Sequence, residues 1–151
     1  MEQKQIQIQF KLADVEQVQF ATLCNEWPEG ELQVTNQMQF SSDTTQRAVR
    51  CVGSFEYKQN DITQLMLRVQ TIFEFSTESW SALYQLQQDA WVLPAGLVQH
   101  MADITISAAR GILAIRTEEA GFPRVVLPLI APQQIIRDNL RLPRTTTPAE
   151  N

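Results

Sequence analysis

Apolar and polar residues alternate through the first half of the chain. Ile6, Ile8, Phe10 and Leu12 are two apart, with Gln5, Gln7, Gln9 and Lys11 between them, and Val18 and Phe20 keep the same parity. The pattern returns at Leu32, Val34, Met38 and Phe40, at Val49, Cys51, Phe55 and Tyr57, and at Leu65, Leu67, Val69, Phe73 and Phe75. Successive side chains of a strand point to opposite faces, so a period of two puts one face on a core and the other toward water. Turn-forming residues separate the runs: Pro28-Glu29-Gly30, Ser41-Ser42-Asp43 and Gln59-Asn60-Asp61. Such short connections favour antiparallel neighbours, and the expectation is a four-stranded antiparallel meander. Met66 and Ile72 sit on the polar parity. Part of the second face is therefore expected to lie under another chain or a ligand.

The period changes in the second half. After Trp80 the stretch SALYQLQQDAWVLPAG carries aromatics without clean alternation and reads as an irregular crossover. A loop of that length in a compact domain is often functional. From Pro94 to Glu119 the positions Leu97, Met101, Ile104, Ala108, Ile112 and Ile115 step by three and four, the mark of one helical face. A helix of about 25 residues would be about 37 Å long. Pro94 suits its first turn, and Gly121 and Pro123 stop it. Val98, Ile106 and Leu113 widen the apolar stripe, and Ala108, Ala109 and Gly111 allow another backbone close. The helix is expected to be sandwiched, one face on the sheet and the other on a partner subunit. A short second helix is expected between Gln133 and Leu140. Residues 1–141 then form one α+β domain, and 142–151 a loose tail.

With 151 residues, 44% hydrophobic and 19% charged, the chain is globular and large enough to fold without metals or disulfides. A net charge of −5 argues against a nucleic-acid binder, although an acidic protein can attract basic polypeptide segments. Cys24 and Cys51 lack CxxC spacing and read as reduced, mostly buried thiols, with a disulfide neither required nor inferable. MEQKQIQIQF is not a signal peptide, and no apolar run approaches the ~18 residues of a membrane span, so a cytoplasmic protein without membrane insertion is expected. His100 is the lone histidine, and no sequence feature supplies it with triad or metal-site partners. Asp14, Glu16, Glu29, Glu31, Glu118 and Glu119 are scattered, and there is no nucleotide-binding P-loop. The expectation is a binding protein without cofactor or metal, not an enzyme.

The stretches DITISAARGI (103–112) and AGFPRVVLPLI (120–130) resemble the SecB family of protein-export chaperones, carried by Ala109, Arg110, Gly121, Phe122, Pro123, Leu127 and Pro128. IQFKL and Val18-Gln19-Phe20 are more loosely similar to the family's first strand. The order of elements matches over about residues 5–141. The resemblance implies a homotetrameric dimer of dimers, with eight strands per dimer and the long helices between dimers. It also implies a holdase that binds non-native polypeptides, such as preproteins, in long grooves. On that reading Trp80, Tyr84, Trp91 and Val92 in the crossover, with Leu97, Met101 and Ile104 on the helix, contact the client. The alternative for each is ordinary packing on the core. Ala108, Arg110 and Leu113 would lie at the oligomer interface, where Arg110 needs a carboxylate or carbonyl partner if buried. The family docks on the export ATPase SecA through acids on the exposed sheet face. Those positions fall near Gln17, Ala21 and Arg68, with Met66 beside the last, and the acids are missing at all of them, though Asp14, Glu16 and Glu74 lie nearby. Delivery to SecA is therefore less secure than chaperone activity, and a SecB-like chaperone serving an antitoxin stays open. The rival is a small ligand-binding α+β domain, which would need convergent polar residues in one cavity.

Overall fold

The computed structural model describes residues 7–144. Four long strands come first: β1 (Phe10–Thr22), β2 (Gln33–Asp43), β3 (Ala48–Gln59) and β4 (Ile62–Phe75). Then follow α1 (Thr77–Leu83), β5 (Tyr84–Gln85), β6 (Ala90–Leu93), α2 (Ala95–Glu119), α3 (Pro132–Ile135) and β7 (Leu140–Pro143). The long strands form one antiparallel sheet in the order β1-β4-β3-β2. Asn60 and Asp61 both take positive φ (52° and 63°), the two-residue turn whose twist suits a hairpin, and it joins β3 to β4. Between β2 and β3, Asp43 Oδ1 accepts from the Thr45 and Gln46 amides at 3.1 and 3.2 Å.

Only β2, β3 and β4 form a meander. β1 pairs with β4 rather than β2, because residues 23–32 cross to the far edge, and the four-strand meander gives way to a Greek-key order. Alternation shows that a strand is half buried but not which neighbour it meets. β1 also carries two irregularities, between Leu12 and Asp14 and between Gln17 and Gln19. Each inserts a residue and turns the following side chains over. Phe10 and Leu12 lie opposite the inward Phe75 and Phe73, then Val15 and Gln17 opposite Thr71 and Val69, then Phe20 opposite Leu67. Val18, which shares parity with Phe10 in sequence, is left 47% exposed.

α2 crosses one face of this sheet. Its buried side is Val98, Met101, Ala102, Thr105, Ile106, Ala109, Leu113 and Thr117. These pack against Val49, Cys51, Phe55, Leu65, Leu67, Val69 and Phe73, which form two core clusters. The stripe through Leu97, Ile104, Ala108, Ile112 and Ile115 is only half buried or exposed, so the helix faces the sheet with the neighbouring stripe. Close approach explains that choice. A Cβ on Gly53 would lie 3.2 Å from Thr105 Cγ2 and 3.1 Å from the Phe55 ring, so glycine makes room for the helix there. Thr105 and Thr71 hydroxyls meet at 2.7 Å, and Thr105 also donates to the Met101 carbonyl at 2.9 Å, which satisfies both groups in the core. At the C-terminus Phe122 N donates to Thr117 O and Gly121 N to Glu118 O, with Gly121 at φ 84°, a Schellman stop. At the N-terminus the Ala95 amide donates to Asn139 Oδ1 at 2.9 Å, a cap supplied from far along the chain.

The crossover is more regular than expected. Ser76 accepts from the Ser79 amide and starts α1, and β5, β6 and β7 form a small antiparallel sheet. Strands of two to four residues are too short to display a period. The second helix is one turn at Pro132–Ile135 rather than a run to Leu140, which instead opens β7. Leu142, placed by sequence in the tail, is buried as the partner of Trp91. Residues 145–151 lie outside the described residues, as does Ile6. Cys51 is fully buried, and burial pushes its thiol pKa up, which makes it unreactive. Among the described residues no helix is long and apolar enough to cross a membrane.

Candidate functional site

The aromatics of the crossover converge. Trp80 on α1 stacks on Trp91 of β6, with ring centroids 4.7 Å apart and 26° between planes. Phe75 at the end of β4 backs Trp80 at 5.7 Å. Tyr84 lies opposite Trp91 in the β5–β6 ladder, with its ring 5.1 Å away. The Tyr84 hydroxyl donates to Asp89 Oδ1, and Asp89 also meets Arg144 Nη1 at 3.7 Å. Trp80, Ser81, Tyr84, Trp91 and Arg144 line an open hollow of about 290 Å³. The indoles are 6% and 7% exposed, so each is chiefly core and offers the hollow little surface. An aromatic wall with a cationic rim can hold an apolar or aromatic side chain. Among the described residues there is no grouping of three His, Cys, Asp or Glu that would hold a metal.

The other proposed client contacts do not join this hollow. Val92 is half buried on the opposite face of β6, where it pairs with Arg141. Leu97 and Ile104 pack half buried on the core cluster that contains Trp80 and Trp91. Met101 is fully buried in that cluster and belongs to the core rather than to a groove wall. A second feature was not foreseen. β2 is an edge strand with no bulge, pairing with β3 over its whole length. From Gln33 to Ser42 it carries neither charge nor proline, the usual devices that blunt an edge. Its Met38 and Phe40 pack against the same cluster as the two indoles, and β2 touches β7, so this edge runs up to the crossover.

Of the expected interface residues, Ala108 is half buried. Leu113 is fully buried against the sheet, so it is core and has no surface to offer a second chain. Arg110 takes the carbonyl option within its own chain: Nε donates to Leu127 O and Nη2 to Pro128 O, both at 3.1 Å. It straps the segment after α2 onto the helix, and Thr117 Oγ1 adds an acceptor for the Val125 amide at 3.0 Å. The expected docking positions are divided between the faces. Ala21 and Met66 are neighbours on the outer face, and Arg68 lies there too, donating to Ser54 Oγ at 3.3 Å. The first bulge of β1 turns Gln17 to the helix side, where it accepts from Arg116 Nε at 2.6 Å. Arg144 and Asp89 were missed, since nothing in a tail-like segment marks an arginine as the rim of a pocket.

No protein-family model matches the sequence, and no curated protein matches it. Among solved structures, a SecB-like chaperone of Mycobacterium tuberculosis, in complex with a ChAD peptide from the HigA1 antitoxin, aligns over 80% of this chain and 90% of its own at 12% identity and a TM-score of 0.51. A protein of unknown function from Streptococcus agalactiae aligns over 82% of this chain and 100% of its own at 14% identity, but with a TM-score of 0.38. At such identity the first likeness is one of fold alone: the chain has an α+β, SecB-like fold.

Proposed function

We propose that this protein is a SecB-like holdase that binds non-native polypeptides. The observation that carries the reading is the convergence of Trp80, Tyr84 and Trp91 on one hollow beside an unblunted strand edge. An unfolded chain offers apolar side chains and unpaired backbone together. The hollow takes the former, and the β2 edge takes the latter by strand addition, which needs no fixed sequence. Binding of this kind opposes folding by mass action and requires no nucleotide. The half-exposed stripe of α2 and the bare residues Leu12 and Val15 of β1 support assembly into a dimer of dimers, which would multiply such contacts.

The destination of the client has two readings. Preproteins kept competent for export would require docking on SecA. Neutral or basic residues stand at the expected docking positions, and Gln17 faces the helix, which weighs against that route. The structural neighbour's antitoxin peptide favours a dedicated polypeptide client. Light scattering after size exclusion, with a reduced and unfolded protein and with its folded form, tests the shared core of both. Co-elution with the unfolded form alone supports the holdase. A protein that ignores both forms refutes it, and Trp91→Phe with unchanged client affinity removes the hollow from the site.

A further inference from the structure

The outer face of the sheet, away from α2 and the crossover hollow, has an uneven charge pattern. Its acids without a basic partner among the described residues stand on β1, where Asp14 lies opposite Ile72 and Glu16 opposite Gln70. Glu74 of β4 is matched by Lys11 at 3.7 Å, and Glu56 of β3 by Lys58. On the central strands stand two arginines, both exposed: Arg50 opposite Ile72 and Arg68 opposite Ser54. Elsewhere among the described residues Arg116, Arg124 and Arg144 meet carboxylates and Arg47, Arg110 and Arg141 meet carbonyls, while Arg137, before β7, is exposed away from this face. Arg50 meets no described group, and Arg68 only the Ser54 hydroxyl. Beside Arg50 is a hollow of about 490 Å³ walled by Gln39, Phe40, Ser41, Val52 and Gln70, so amide and hydroxyl donors surround the guanidinium. Lys58, further along β3, is matched by Glu56 at 3.5 Å and adds no free charge.

We propose that the central part of this outer face, on β3 and β4 with the edge of β2 beside Arg50, is a docking site for an acidic, extended segment of another protein, held at Arg50 and Arg68. Charge selects the occupant: a guanidinium ringed by neutral donors suits a carboxylate, and the fork geometry allows two hydrogen bonds. Spacing selects its form. Arg68 lies level with Ser54, four residues beyond Arg50, which at strand rise is about 14 Å. Carboxylates four residues apart on an extended chain match that interval, with Val52 between them for an apolar contact. The net charge of −5 makes the site selective, since an acidic segment is repelled from β1 and most of the remaining surface. The site lies on the opposite face from the client hollow, so it stands whether or not the holdase reading does.

Fluorescence anisotropy tests it, with the full chain and a labelled Ser/Gly peptide carrying glutamate at every fourth position. The same peptides with glutamine or lysine are the controls. The glutamate peptide is expected to bind about tenfold more tightly than the glutamine one, and to weaken with salt. Arg50→Gln with Arg68→Gln should bring the glutamate peptide to the glutamine level. Arg50→Glu with Arg68→Glu should transfer preference to the lysine peptide. Both sites are exposed, and an unchanged thermal midpoint confirms the fold of each variant. Equal binding of glutamate and glutamine peptides overturns the proposal, as does glutamate binding that survives the neutral substitutions.

Discussion

The two flanks of the large sheet protect opposite things. On the β1 flank the backbone is guarded: two bulges break the edge, and Lys11, Asp14 and Glu16 charge it. The side chains there are bare, with Leu12 44% and Val15 40% exposed beside the half-open stripe of α2. On the β2 flank the side chains are roofed. Val125, Leu127, Ile130 and Ile135 of the segment after α2 lie over the cluster that holds Tyr57, with Trp27, Leu32 and Val34 beside them. The backbone edge of that flank is the one left regular and uncharged. A bulged edge with bare apolar side chains suits a packed, folded partner. A regular edge with covered side chains suits an extended chain. The difference teaches that one sheet can expose side chains on one flank and backbone on the other.

The roof is the first place to break that contrast. Leu127 is 2% exposed, and Leu127→Ala should cost about 3 kcal/mol and lower the denaturation midpoint by urea, whereas Leu12→Ala should cost less than about 1. Similar losses at the two sites would mean that the flanks do not differ. Arg110→Met removes two hydrogen bonds from a cation to carbonyls and should cost about 2 kcal/mol, with faster proteolysis near residues 124–131 as a second readout. At the edges, Gln37→Lys with Gln39→Lys should weaken unfolded-client binding about tenfold, or 1.4 kcal/mol, while Gln19→Lys on β1 leaves it alone. Equal loss from both edges would show that charge in general, rather than the open strand, governs capture.

The smallest effect is one of pH. Tyr57 lies under the roof, its hydroxyl unpartnered among the described residues, and burial raises its pKa to about 12 although Arg110 pulls it down. The unfolded phenol loses its proton near 10 and the folded one near 12, so stability is full below pH 10 and falls between pH 10 and 12. After screening by solvent this amounts to about 1 kcal/mol. Tyr57→Phe should flatten the alkaline limb of thermal stability measured across that range, and an unchanged limb would place the titration elsewhere.

Much of this was legible before any coordinates. Alternation located all four long strands, and the three-and-four spacing with Pro94 and Gly121 placed the ends of α2. Side-chain parity failed where the backbone inserts residues: Val18 and Gln17 changed faces because of the β1 bulges. The helix stripe was misplaced because hydrophobicity favoured Ile104 and Ile115 over Thr105 and Thr117. Both threonines are buried, with their hydroxyls satisfied by nearby carbonyls. Trp80, Tyr84 and Trp91 come together in the fold, since large aromatics outside a regular period need a shared place to pack. For Met101 ordinary core packing was the alternative that the structure shows, and Leu113, expected at an oligomer interface, is core as well, because a wide apolar helix does not say which of its sides meets its own sheet.

The cap on α2 has a consequence for synthesis. Ala95 at the head of the helix is completed by Asn139, and β6, which carries Trp91, gains its second neighbour only from Leu140–Pro143. On the ribosome Asn139 emerges 44 residues after the Ala95 amide that it caps. Until then Trp91 lacks Leu142 across the ladder, and Arg144 has not reached Asp89. A nascent copy of the chain thus leaves Trp91 and the head of α2 uncompleted until residues 139–144 have followed them out.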